Sequence, residues 1–291
     1  MPHLLDISPL IECATVTGGK AASRILLATE HGPLDAGAES VALGLAARSG
    51  TALATVWPLV SNPEYEAVAP QIAAHAEQAV ALKIAAFRAH SDAKSVLTTV
   101  KVRRGEDRHK EIVEEARVQG SELIVLRQCA PRSLFSSFLA SEISASEIVA
   151  LGSCHVLMVP RGARMWNNGI VLAVDTSQQD RQIVAIAFHI ALQWHLPLHL
   201  VIVITDETPR EEALVFAKSL RHQAEQSGVT ADCEIRSGNP VTEILNSVAE
   251  THSDLIIVGY RGKSQKIRSP MGDWKRKVLR LSKYPVLVAR A

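Results

Sequence analysis

Three apolar segments recur in the same order in the two halves of this chain. Residues 24–30, RILLATE, match residues 169–175, GIVLAVD. Residues 122–126, ELIVL, match 254–258, DLIIV, and 156–159, VLMV, match 286–289, VLVA. A colinear repeat restricts the fold to two copies of one architecture. The offset between copies falls from 145 (170 minus 25) to 132 (255 minus 123) and then 130 (286 minus 156). The first copy therefore carries extra residues in its middle, placed most simply in the helical stretch from Glu64 to His90.

Between the apolar segments lie longer amphipathic stretches. In the second copy the pattern predicts strands at 170–175, 198–204, 230–236, 254–258 and 285–289. Helices are predicted at 179–194, 210–227, 240–251 and 273–282. Gly238-Asn239-Pro240 supports one start, since Asn caps a helix and Pro suits its first turn. Alternation of this kind implies a parallel sheet with helices on both faces. The 291 residues are comfortable for two such domains. Hydrophobic residues make up 47% and aromatics only 4%, so both cores must be aliphatic. That suits strands buried on both faces. The predicted organisation is an N-terminal extension at 1–23, a first domain at 24–161 and a second at 167–291. The stretch from Pro160 to Asn168 links them.

The segment from Asp254 to Asp273 carries the chemistry. An apolar run closes on Gly259, Gly262 follows three positions later, and Gly272 ten positions after that. Glycines after a buried strand let backbone N–H groups approach a ligand, because no Cβ intervenes. A helix starting near Gly272 adds the partial positive charge of its N-terminus. Together these make an anion cradle. The flank is basic, with Arg261, Lys263, Lys266, Arg268, Lys275, Arg276, Lys277, Arg280 and Lys283. Such density attracts phosphate, although from Lys275 to Lys283 it also reads as an ordinary solvated helix face.

The spacing Gly259-x2-Gly262-x9-Gly272, followed by Pro285-Val-Leu-Val288, resembles the nucleotide loop of ATP-binding universal stress proteins. With both copies counted, the resemblance covers about residues 24–290 and implies a tandem member of that family. The fold implied is α/β: two Rossmann-like domains of the adenine nucleotide alpha hydrolase-like kind, each with a five-stranded parallel sheet, related by pseudo-twofold symmetry. The last strands of the two domains are expected to pair antiparallel across that axis. By the same resemblance Asp175 contacts the nucleoside, and the backbone at Val203 reads the adenine edge. The glycines and Asp273 would surround the phosphates. Ligands in such sheets sit beyond the carboxyl ends of strands, where Asp175 and Gly259 both lie. The family's nucleotide binders carry Ser or Thr where this chain has Asp273. A hydroxyl donates to phosphate and a carboxylate repels it, so Asp273→Ser is expected to strengthen binding tenfold to a hundredfold, by about 1–3 kcal/mol. A competing role for Asp273 is to recruit Mg²⁺.

The first copy lacks these features. Arg127 replaces the first glycine and Ala130 the second; the third aligns with Ala140 or Glu142. Glu30 replaces the strand-end aspartate, and Arg127 is expected to pair with Glu30 in the vacated cleft. The expected activity is that of a stress-response regulator holding ATP or another adenine nucleotide, with Mg²⁺, in the second half only. The rival expectation is a nucleotide-free scaffold acting through protein–protein contacts. No catalytic constellation stands out, so slow ATP hydrolysis is the most that enzymatic activity would amount to. His195 and His199 flank Pro197 and so do not form a metal pair on one helix face.

Net charge is +1, which points to no polyanionic partner, and the basic stretch lacks the interleaved aromatics of nucleic-acid surfaces. Four scattered cysteines with no C-x-x-C pair indicate neither a zinc ribbon nor a disulfide framework. Residues 1–16 lack the pattern of a signal peptide, and no apolar run is long enough for a membrane span. A cytoplasmic protein is expected. Its partners would be its own second half, a further copy of itself, or an unidentified protein.

Overall fold

The apolar segments become strands and the stretches between them become helices. The structure, a computed structural model, describes residues 25–60, 70–128, 143–174, 181–204, 210–260 and 272–290. The first half runs β1 (Ile25–Ala28), α1 (Ala36–Ser49), β2 (Leu53–Val60), α2 (Pro70–Ala93), β3 (Thr98–Gly105), α3 (Arg108–Gln119), β4 (Leu123–Arg127), α4 (Ala145–Leu151) and β5 (His155–Val159). The second runs β6 (Ile170–Val174), α5 (Arg181–Trp194), β7 (Leu198–Ile204), α6 (Arg210–Ser227), β8 (Ala231–Ser237), α7 (Pro240–Glu250), β9 (Leu255–Tyr260), α8 (Asp273–Leu281) and β10 (Val286–Arg290). Among the described residues no helix is long and apolar enough to cross a membrane.

All ten strands form one sheet, ordered β3-β2-β1-β4-β5-β10-β9-β6-β7-β8. Each half is parallel throughout and doubly wound, and the two halves share one strand order. Registers repeat as well: Ile25 stands beside Leu53 and Leu123, and Ile170 beside Leu198 and Leu255. The halves meet at β5 and β10, which pair antiparallel with Leu157 opposite Leu287. The extra residues of the first half fall between β2 and β3, where α2 has 24 residues against 18 in α6.

Successive strand residues face opposite sides, and both sides are covered. Leu27, Leu157, Leu172 and Leu287 pack with Val41 of α1, Phe87 of α2, Ala187 of α5 and Leu220 of α6. Leu26, Val156 and Val258 face the other way, onto Ile112 of α3, Ile148 of α4, Val248 of α7 and Val278 of α8. Each apolar layer runs unbroken through both halves, so their association uses the same burial that folds them. The outermost strands carry Lys101, Arg103 and Arg104 on β3 and Asp232, Glu234 and Arg236 on β8, charges that discourage further strand pairing.

Local chemistry sets the boundaries. Asp107 caps α3 by accepting from His109 N (2.9 Å) and Lys110 N (3.4 Å). Asn239 does the same for α7, accepting from Val241 N (3.0 Å) and Thr242 N (3.3 Å). The linker is fastened at both ends. A Cβ on Gly37 of α1 would come within 2.0 Å of the Pro160 carbonyl oxygen, so only glycine allows α1 to touch the start of the linker. At the other end the Asp254 carboxylate accepts from the backbone N–H of Asn167 (2.9 Å), Asn168 (3.1 Å) and Gly169 (3.2 Å). Between these points Trp166 packs on Trp194 at 5.2 Å, and Arg48 of α1 lies 4.2 Å over the Trp194 ring of α5.

Candidate functional site

The strand order of the second half reverses between β6 and β9, which opens a crevice at their carboxyl ends. Asp175 follows the last residue of β6 but, like Gly262, lies outside the described residues. Val203 sits one residue before the end of β7, half-buried and in register with Arg236. Gly259, expected to open the loop, instead lies inside β9 opposite Ala289, and the strand continues to Tyr260. Pairing with β10 holds this stretch extended.

The Gly259 carbonyl accepts from Lys275 Nζ at 2.8 Å, so one of the basic side chains reaches back to the strand. The same ammonium lies 5.3 Å from the Trp274 ring centre. Gly272 precedes α8 with φ 60° and ψ 148°, a conformation open to glycine and strained for other residues, and among the described residues no side chain caps the helix there. The first N–H groups of α8 therefore remain available to an anion. Asp273 is the first residue of α8. Its side chain is 79% exposed and pairs with Arg276 one turn on. That partner offsets much of the repulsion expected between this carboxylate and a phosphate.

Tyr260 is fully buried, its hydroxyl meets no partner among the described residues, and burial pushes its phenol up, with Arg290 acting the other way. Arg290 stands 5.7 Å from its ring. Burial also raises Cys154, and pushes Cys233 up to about 11, which makes both thiols poor nucleophiles.

In the first half the equivalent crevice, between β1 and β4, is filled by side chains. The expected Arg127–Glu30 pair does not form. Arg108 Nη1 at the start of α3 donates to Glu30 Oε1 at 2.8 Å, and Arg127 Nε lies 3.4 Å from Asp35 Oδ1. Asp35 is buried just ahead of α1 and accepts from Gly32 N, so its carboxylate already lies beside Arg127. Just ahead of α4, Ser144 N donates to His109 Nε2 at 2.9 Å, so a side chain of α3 stands beside the helix start matching that of α8.

Two further residues carry contacts that sequence reasoning missed. Gln128 Nε2, at the end of β4, donates to Leu279 O (2.6 Å) and Ser282 O (2.9 Å) at the carboxyl end of α8. Arg290 Nη1, at the end of β10, donates to Val149 O and Gly152 O at the carboxyl end of α4. Each half thus caps the last helix of the other. No local motif announces this; only the β5–β10 pairing shows which helix end each side chain reaches.

The geometry defines a class: paired, doubly wound α/β domains joined through their last strands. The sequence model of the universal stress protein family matches residues 167–290. A universal stress protein of Bacillus subtilis, YxiE, is 34% identical over 96 residues, 33% of this chain and 64% of that protein. Another from Methanocaldococcus jannaschii, MJ0531, is 30% identical over 87 residues, covering 30% of this chain and 51% of that protein. The chain therefore spans less than two thirds of the length of these curated relatives. A universal stress protein structure from Archaeoglobus fulgidus is similar over 91% of this chain and 95% of its own, with TM-score 0.67 and 17% identity. One from Pseudomonas aeruginosa, described as a putative universal stress protein, matches 93% of this chain and 94% of its own, with TM-score 0.64 and 18% identity. The family model matches the second half alone, and the likeness to these structures shows the same paired fold across both halves.

Proposed function

We propose that the second half holds an adenine nucleotide and that the chain serves as a nucleotide-responsive regulator in the stress response. The observation carrying this reading is Gly272, whose positive φ and uncapped helix start leave an anion-ready N-terminus beside the β6–β9 crevice. These residues fit a phosphate group: among the described residues no side chain caps the helix start, and Lys275 lies in its first turn. When bound, the nucleotide would supply negative charge that α8 and the basic flank meet. Gly259, Gly262 and Gly272 would approach the phosphates, Asp175 the nucleoside and Val203 the base edge. Asp273 would stand near the phosphates, where Mg²⁺ could join it to them. No general base is assigned, and the role proposed is binding rather than turnover.

The test is a titration of the full chain with labelled ATP and AMP, with and without Mg²⁺, beside Gly272→Val. A β-branched residue at that φ strains the helix start and obstructs the anion. Wild type is expected to bind and the variant to lose at least tenfold in affinity. Absence of binding by wild type under every condition would overturn the reading and leave a nucleotide-free scaffold in its place.

A further inference from the structure

The first-half crevice is not merely filled; it is filled by arginines whose hydrogen-bonding capacity is mostly unused. Arg108 donates to Glu30 through Nη1 alone, while its Nε is shielded from solvent and meets no acceptor. An arginine–carboxylate pair formed for its own sake is commonly a two-bond fork, with both donors used. The Arg127 guanidinium, partly open to solvent, is held among the described residues by a single ion pair, with Nε 3.4 Å from Asp35 Oδ1. Buried N–H groups in proteins are nearly always satisfied, so the lack of an acceptor for Arg108 Nε among the described residues calls for a water or ion there. A third cation, Lys83 Nζ, lies 3.4 Å from the Glu30 carbonyl oxygen.

Glu30 and Arg127 stand at the carboxyl ends of β1 and β4, the first half's own point of strand-order reversal, where sheets of this kind receive ligands; Arg108 reaches Glu30 from the start of α3 and Lys83 from α2. The nearby acids are largely committed. Asp35 accepts from Gly32 N at 2.8 Å, and Glu39 accepts from Thr29 Oγ1 at 2.7 Å and lies 3.0 Å from His31 Nδ1. Glu30 is the exception. Its side chain is 31% exposed, and among the described residues its carboxylate is held by Arg108 alone.

We infer that the first half is a second anion site, built from arginine side chains, for a compact dianionic oxyanion such as a phosphate monoester. Glu30 is an internal stand-in for that anion. An arriving phosphate displaces the Glu30 carboxylate, takes Arg108 through Nε and Nη1 together, and reaches Arg127 on the adjacent strand. The site differs in kind from the proposed nucleotide crevice, since it uses side-chain forks where the second half offers backbone N–H groups and a helix end. It also stands without that reading.

The experiment is calorimetry on the full chain with inorganic phosphate and with glycerol phosphate, comparing wild type, Glu30→Gln, Arg108→Gln and Arg127→Lys. Glu30→Gln is expected to strengthen binding about tenfold by removing the internal competitor. Arg108→Gln is expected to weaken it at least tenfold, and Arg127→Lys by a few-fold, keeping the charge but losing the fork. Equal affinity for both probes identifies the oxyanion alone as the recognised group; preference for glycerol phosphate identifies the ester. Phosphate bound in the second half would be blind to all three substitutions. Affinity unchanged in Glu30→Gln and Arg108→Gln, or no binding by wild type and Glu30→Gln alike, overturns the inference. Circular dichroism on each variant separates lost binding from lost folding.

Discussion

Arg127 and Gly259 occupy matching places in β4 and β9, each beside the last strand of its half, opposite Val159 and Ala289. The strands around them agree in order and register, and the contrast lies only in what the strand ends carry. In the second half that place is glycine, one residue before the strand ends, and among the described residues no side chain caps the following helix. In the first half it is arginine, and the matching helix start is met by His109. The sheet constrains the crevice's position but not its contents. A duplicated fold can therefore keep one crevice open to a ligand and supply the other with charges of its own.

The largest test of this comparison concerns what the halves share. Leu157 and Leu287 face each other across the β5–β10 seam, and both are almost completely buried. Truncating either to alanine is expected to cost about 2–5 kcal/mol of stability, read from urea unfolding. The two losses should be similar, since the seam is pseudo-symmetric. A loss confined to one variant would break the picture of a common core and favour separately unfolding halves.

The crossed caps sharpen the comparison, because here the halves use different groups for one task. Arg290→Met removes charged donors from Val149 O and Gly152 O, and is expected to cost about 1.5–3 kcal/mol. Gln128→Leu removes a neutral amide from Leu279 O and Ser282 O, and should cost about 0.5–1.5 kcal/mol. Thermal unfolding of both variants checks the order. Equal losses would mean that the guanidinium's charge adds nothing at the helix end.

His155 makes the same seam sensitive to acid. Its Nδ1 accepts from Arg290 N at 3.0 Å, which requires the neutral ring. Burial, chiefly, and the Arg290 charge hold its pKa below the usual histidine value, while Glu122 opposes them. With the folded value depressed, the unfolded chain takes up the proton first as pH falls. The stability is therefore complete above the ordinary histidine value of about 6.5, and is lost as pH falls from there through the folded value. Urea midpoints measured between pH 7.5 and 5.5 should decline in wild type. His155→Asn keeps an acceptor that does not titrate, so its decline should be shallower. An identical slope in both would assign the acid sensitivity elsewhere.

Much of this molecule was legible in the sequence because its strands are buried on both faces and read as unbroken apolar runs. The segment 198–204 became β7 without adjustment, and Asn239 caps α7 as its position before Pro240 predicts. The missed part was β9 beyond Val258. Glycine reads as an end, yet pairing with β10 carries the strand through Gly259 to Tyr260, a tertiary effect with no local signature. Pairing of charges was legible least. The repeat placed Glu30 and Arg127 at the ends of neighbouring strands, β1 and β4. Their actual partners, Asp35 and Arg108, come from the segment before α1 and the start of α3, and depend on side-chain reach rather than on strand order.

Asp273 gives the smallest expected effect and the finest test of how the second crevice differs from the first. Placed beside a phosphate in isolation, this carboxylate would weaken binding tenfold or more. The structure gives it an Arg276 partner and leaves most of it in water, and both reduce the field it exerts. Replacing it with serine also frees Arg276, whose charge then becomes available to the phosphate. The gain should be about 0.5 kcal/mol, or about two- to threefold in affinity, shrinking further as salt is raised. Calorimetry at two salt concentrations, with and without Mg²⁺, measures it. A tenfold or larger gain would show that the Arg276 pair does not hold in solution. A loss seen only with Mg²⁺ present would make Asp273 a metal ligand, so that the second crevice would hold its phosphate partly through a carboxylate and a cation rather than through backbone alone.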